Sequence, residues 1–244
     1  MKALSSSEML EIWDMGRVQS PVERALILMA AAYPGESMDS LAALSIGQRD
    51  SCLLTLREMI FGQDMDCLIA CPSCGDSLEL DFKVEDIRKE LVSKKNEVLS
   101  LGASGYDVQF RLPNSEDLIA ISDGSEMDEM RHRLLWRCIM SALWNGEVVP
   151  ANDLPAGLLD AVVSEMAQAD PQADVRLELL CPSCGVKWRA VFDVVSFLWS
   201  EIDALARRTL REVHILASAY GWTEADILEL SPWRRQCYKD MVED

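Results

Sequence analysis

The chain has 244 residues and a mass of 27.3 kDa, enough for one large domain or two small ones and for a buried core. Hydrophobic residues make up 49% and charged residues 26%, the balance of a folded chain rather than a disordered one. The 41 acidic side chains outnumber the 23 basic ones for a net charge of -18, which argues against a partner reached through phosphates, whether nucleic acid or anionic membrane.

The charge is uneven. Residues 185–244 carry 8 basic and 10 acidic side chains, so most of the excess acid precedes them and a basic patch has its best place at the C-terminal end. Met1-Lys2-Ala3-Leu4-Ser5 shows no secretory signal, and no apolar run approaches the ~20 residues that span a bilayer. The expected location is cytoplasmic, where eight cysteines read as metal ligands or redox groups before disulfides.

In chain order, residues 1–63 read as a helical segment. A short helix is expected around Met9–Met15. Ser20-Pro21 then caps a helix with Val22, Ala25, Leu26, Met29 and Ala30 on one face, ended by Pro34-Gly35. Ser45 caps a second, burying Leu53, Leu54, Leu56, Met59 and Ile60 and closed by Gly62. Residues 64–112 hold a hairpin over 65–83, a helical turn at Val84–Lys89, and strands at Asn96–Leu101 and Tyr106–Leu112. In the last strand Tyr106, Val108, Phe110 and Leu112 alternate with Asp107, Gln109 and Arg111. Residues 113–173 read as a helical insertion: a short helix at Ser115, a longer one over Ser125–Leu143 ended by Asn145-Gly146, and one over Ala156–Gln168. Residues 174–192 form a second hairpin. Residues 193–244 read as a C-terminal helical segment, with a long helix over Val194–Tyr220, a C-cap at Gly221, a capping box at Thr223-Glu224-Ala225-Asp226 and a terminal helix after Ser231-Pro232. Arg207, Arg208, Arg211, Arg234 and Arg235 gather here, either as a solvated face or as a docking patch for an acidic partner surface.

The two hairpins carry one repeated string. Cys71-Pro72-Ser73-Cys74-Gly75 and Cys181-Pro182-Ser183-Cys184-Gly185 are identical pentapeptides, each between strand-like flanks. Proline fixes φ early in the turn, and glycine after the second cysteine permits a positive φ, so backbone N–H groups turn toward the sulfurs. One such knuckle offers two thiolates, and tetrahedral zinc takes four. Cys71, Cys74, Cys181 and Cys184 therefore suit one closed structural zinc site. More than a hundred residues separate the pairs, far beyond the spacing of a compact ribbon. The chain must leave the ribbon, build something else and return, which suggests one zinc-closed unit. Two other readings stay open: a thiol-redox protein using the Cys-Pro-Ser-Cys pairs, and cysteines that pair across a dimer or serve only packing. Cys52, Cys67, Cys138 and Cys237 read as core or strand residues.

No catalytic constellation stands out, and the expectation is a protein that is not an enzyme. His132 and His214 sit in predicted helices as partly buried polar residues, and the seven tryptophans read as core or interface anchors. There is no Gly-x-Ser-x-Gly, no His-Glu-x-x-His and no phosphate-cradling glycine loop.

Several strings carry a resemblance. They include Leu44-Ser45-Ile46-Gly47-Gln48-Arg49-Asp50, Leu54-Thr55-Leu56-Arg57-Glu58, Phe110-Arg111-Leu112-Pro113 and both knuckles. C-terminal ones are Phe197-Leu198-Trp199-Ser200-Glu201-Ile202, Ala219-Tyr220-Gly221-Trp222 and Ser231-Pro232-Trp233-Arg234-Arg235-Gln236-Cys237-Tyr238. Over roughly residues 40–240 the chain resembles zinc-knuckle proteins encoded in clusters for phage-tail-like contractile injection systems. These are distantly similar to baseplate hub assembly proteins, or chaperones, of contractile-tailed phages. The resemblance implies a non-enzymatic assembly factor or minor component of a baseplate, with hub or spike proteins as partners. It carries over only the four knuckle cysteines. The expected fold is α+β, mostly helical, with a discontinuous zinc ribbon built from two β-hairpin knuckles. A zinc-ribbon adaptor for nucleic acid is the remaining alternative, disfavoured by the net charge.

Overall fold

A computed structural model describes residues 1–90, 92, 97–122 and 126–243. It is a mixed α+β protein in which helices dominate and the strands form small antiparallel sheets. In chain order the elements are α1 (Ser6–Gly16), α2 (Pro21–Ala32), α3 (Met38–Ala42), α4 (Ile46–Phe61), β1 (Asp64–Ala70), β2 (Ser77–Lys83) and α5 (Val84–Ile87). Next come β3 (Val98–Ala103), β4 (Tyr106–Arg111), α6 (Ser115–Ile121), α7 (Met127–Cys138), β5 (Ile139–Trp144), β6 (Glu147–Val148) and α8 (Ala156–Ala169). The chain ends with β7 (Arg176–Leu180), β8 (Lys187–Val191), α9 (Val194–Tyr220), α10 (Glu224–Glu229) and α11 (Pro232–Glu243). Asn96 and Ser125, the expected starts of one strand and one helix, lie outside the described residues.

The chain divides into two compact units, residues 1–35 with 194–244 and residues 36–193. In the first, α1 and α2 pack on α9. Ser5 and Ser20 each form a capping box, with Glu8 and Glu23, so both helices start where hydroxyl and carboxylate satisfy free N–H groups. The Trp13 indole donates to Asp203 Oδ1 at 2.8 Å, and the Arg24 guanidinium lies 4.6 Å over the Trp199 ring. Where α9, α10 and α11 meet, Tyr220 stacks on Trp222 and Tyr238 meets both rings edge to face.

In the second unit, β3-β4-β5-β6 form a four-stranded sheet. Its inner face, with Val108, Phe110 and Ala142, buries Leu135 of α7 and Leu158 and Val162 of α8. The expected helix over Ser125–Leu143 stops at Cys138, and Ile139–Trp144 is a strand instead. The reason is Asn145-Gly146, with φ of 50° and 92°: the type I′ two-residue hairpin turn needs positive φ at both central residues. The pair turns the chain back on itself, and β5 finds its backbone partners along β4. Ser104-Gly105 makes the same kind of turn between β3 and β4.

Buried polar groups tie the unit together. Asp117, fully buried, accepts from Arg111 Nη2 at 2.8 Å and Arg137 Nε at 3.0 Å. At the start of α4, the Gly47 N–H donates to Asp170 Oδ2 at 2.9 Å, and the buried Gln172 accepts from the Lys89 N–H at 2.7 Å. These bonds join α4 and the end of β2–α5 to the segment that leads into β7.

Candidate metal centre

Each repeated pentapeptide is the tip of a two-stranded hairpin. In β1–β2 the last register pair before the tip is Ala70 with Ser77, and in β7–β8 it is Leu180 with Lys187. The tips have one backbone plan. The Cys71 N–H donates to the Asp76 carbonyl at 2.8 Å, and the Gly75 N–H to the Cys71 carbonyl at 3.0 Å. The second tip repeats this, with Cys181 to Val186 at 2.9 Å and Gly185 to Cys181 at 2.9 Å. Gly75 and Gly185 stand at φ of 78° and 75°, the left-handed region that any Cβ would strain.

The symmetry extends into the packing. Cys71 and Cys181 are buried against each other's hairpins with Leu78, Ile69, Leu80, Val186 and Trp188 around them. Phe82 and Phe192, each eight positions after the second cysteine of its knuckle, meet edge to face at 5.6 Å. The hairpins therefore face one another as equivalent halves, and their tips coincide.

That coincidence brings the four sulfurs within 4.8 Å of one another. Two approaches cross between knuckles: Cys71 Sγ to Cys184 Sγ is 3.7 Å and Cys74 Sγ to Cys181 Sγ is 3.6 Å. A tetrahedral ion with metal–sulfur bonds of about 2.3 Å needs sulfurs about 3.8 Å apart, which these distances match, whereas a disulfide needs about 2.05 Å. Cys71 and Cys181 form the buried side, and Cys74 and Cys184 the exposed side. Among the described residues this is the one cluster of His, Cys, Asp or Glu with converging ligand atoms.

The electrostatics favour a cation. The backbone N–H groups of Cys74 and Ser73 point at the Cys71 sulfur and bring its thiol down to about 6. The Asp76 N–H does the same for Cys74, yet burial and the neighbouring sulfurs push that thiol up to about 12. Four sulfurs this close cannot all ionise unless a positive ion sits among them, and an ion that does so deprotonates its thiols outright. Four sulfurs filling a tetrahedral ion's coordination would leave no open position for a substrate.

The arginines anticipated as a patch separate. Arg211 and Arg234 are exposed, and Arg208 is exposed but lies 4.0 Å from Glu212. Arg207 is exposed but engaged, pairing with Asp203 at 2.7 Å and approaching the Trp13 ring at 6.0 Å. Arg235 is buried and leaves the surface altogether. Its Nε donates to Glu212 Oε2 at 3.0 Å and its Nη1 to the Leu230 carbonyl at 2.8 Å. Its place on the inner side of α11, facing the buried Glu212 of α9, is what a charge count along the sequence cannot show. His132 and His214 are exposed rather than partly buried, on the solvent sides of α7 and α9. Cys138 is buried, and Cys52, Cys67 and Cys237 are partly so.

No helix among the described residues is long and apolar enough to cross a membrane. Compared with known proteins, residues 19–199 match the model of a family described as T4 bacteriophage base plate protein. No curated protein and no solved structure matches the chain.

Proposed function

The chain belongs to the T4 bacteriophage base plate protein family, and we propose that it serves the baseplate of a phage-tail-like contractile injection system as a non-enzymatic, zinc-stapled assembly factor or minor component. The observation that carries this is the convergence of Cys71, Cys74, Cys181 and Cys184 inside a baseplate family member. A zinc ion there takes four thiolates and leaves the site near a charge of about -2. It fixes two hairpins that are far apart in sequence, so its binding free energy becomes folding free energy for everything between them. The convergence of all four sulfurs from two knuckles favours a shared ion over redox chemistry, which needs only the two cysteines of one knuckle.

The protein acts by binding other baseplate components, with hub and spike proteins the partners of choice, and it does so in the cytoplasm where particles are built. Arg211 and Arg234, with Arg208 beside Glu212, offer exposed cations to an acidic partner surface. The test is twofold. Purified protein carries about one zinc per chain and co-purifies with hub or spike proteins. Deletion of the gene stops particle assembly; intact particles in its absence would overturn the reading.

A further inference from the structure

In the second unit α7 and α8 line a groove. Its larger hollow, about 220 Å³, takes Leu134, Leu135 and Cys138 from α7 and Val163, Met166 and Ala167 from α8, and ends at Asp170 and Asp174. A smaller hollow of about 100 Å³ continues between Asp128 and His132 of α7 and Leu159 and Asp160 of α8. Arg131, Leu135 and Val163 wall both, so the two are one groove. The lining positions recur every three or four residues along each helix, so one face of each is given to it. From Asp128 to Cys138 an α-helix rises about 15 Å, the length of about three helical turns in an occupant.

The floor is apolar and the charges at its rim are unbalanced. Asp128, Asp160, Asp170 and Asp174 line it beside Arg131; Arg131 pairs with Asp160 at 3.8 Å and Asp174 pairs with Arg176 at 2.8 Å, so among the described residues the exposed Asp128 is paired with no cation. Asp170 is buried. Its Oδ2 accepts the Gly47 N–H, and its Oδ1 has no hydrogen-bond partner among the described residues. An acidic helix or a nucleic acid would meet like charge here. An apolar ridge flanked by cations would match both the floor and the rim.

We propose that the α7–α8 groove docks an amphipathic helix of another baseplate component, one presenting large apolar side chains at i, i+3 or i+4, and i+7, flanked by lysine or arginine. This rests on the reading above that the protein works through protein partners.

The test uses the full chain with its metal bound. Two synthetic helical peptides of about 18 residues, with one leucine ridge and either lysine or glutamate flanks, are titrated by fluorescence anisotropy. The lysine peptide is expected to bind at least about tenfold more tightly than the glutamate peptide. Ala167→Trp, at an exposed position on the groove wall, should weaken it about tenfold or more with no change in melting temperature. Asp128→Lys, exposed on the rim, should weaken it about threefold and steepen no other property of the fold. Equal affinities for the two peptides, no binding of the lysine peptide up to about 1 mM, or indifference to Ala167→Trp would each overturn the groove assignment. Those results leave the assembly role standing, because that role falls only if particles form without the protein.

Discussion

Cys74 Sγ and Cys181 Sγ lie 3.6 Å apart although 107 positions separate them in the chain. Everything between them, including the four-stranded sheet and helices α6 to α8, is a loop closed at this point. Closing so long a loop costs conformational entropy, and the proposed metal tied to four thiolates would repay it. Cys74→Ala and Cys184→Ala remove exposed ligands, so they test the metal with little direct loss of core. Each should bring zinc content measured by mass spectrometry close to zero and lower the melting temperature as far as chelation lowers that of the wild type. Melting temperatures that ignore both chelator and substitution would remove the staple from the account.

Asp50 gives the fold a pH dependence with a defined sign. Burial raises its carboxyl from 3.8 to about 6; Arg49 at 2.8 Å opposes the shift, and Asp193 and Asp170 add to it. The folded pKa lies above the unfolded one, so the ionised carboxylate disfavours the fold. The penalty is absent below about pH 4, grows through the window between the two values and is complete above about pH 6. The stability of Asp50→Asn relative to wild type should therefore rise by on the order of 3 kcal/mol across that window. Urea unfolding at intervals of pH measures it, and metal loss at low pH affects both proteins alike. A difference that stays flat from acid to neutral would show that Asp50 does not titrate in this range.

The fate of individual residues shows how much of this was legible in the sequence. The four-cysteine cluster was readable because its signal is local and repeated: a cysteine pair, a proline and a glycine specify each tip whatever surrounds it. Helices with a serine cap and an acid or amide at the third position, such as α2 and α4, begin where the sequence places them. Strand β5 was not legible, because Ile139–Trp144 is apolar enough for either helix or strand and only pairing with β4 decides between them. Its one local clue, Asn145-Gly146, fits a helix end as well as a hairpin turn. Arg235 failed for a similar reason. Four of the five arginines are exposed, and the fifth is separated from them only by a partner, Glu212, that lies 23 positions away.

Arg234 and Arg235 are neighbours in sequence with opposite roles, and substitution should separate them. Arg235→Ala takes from the buried Glu212 its 3.0 Å partner and leaves it only the exposed Arg208 at 4.0 Å, which costs about 1–3 kcal/mol. Arg234 is exposed, and Arg234→Ala should change stability by no more than about 0.5 kcal/mol. Binding to an acidic baseplate partner should reverse the order: Arg234→Ala together with Arg211→Ala weakens association at unchanged melting temperature. Thermal melts of the single variants and of the double variant decide the first part, and co-purification with hub proteins the second. An Arg235→Ala protein as stable as wild type would mean that the ion pair contributes nothing.

Gly47 marks the closest approach in the second unit. A Cβ there would stand 2.0 Å from Asp170 Oδ1 and 2.9 Å from the backbone nitrogen of Ala173. The backbone nitrogen cannot swing away as a flexible side chain would, and Asp170 can retreat only by giving up the 2.9 Å bond it accepts from the Gly47 N–H. Gly47→Ala therefore combines overpacking with a lost buried hydrogen bond, for a cost of about 2–4 kcal/mol. The same change at Gly157, on α8 with open space around it, meets nothing and should be neutral or stabilising by up to about 1 kcal/mol. The pair controls for the general effect of replacing glycine in a helix. Denaturant midpoints at neutral pH measure both, and a Gly47→Ala protein no less stable than Gly157→Ala would mean that α4 does not rest on Asp170 as the distances require.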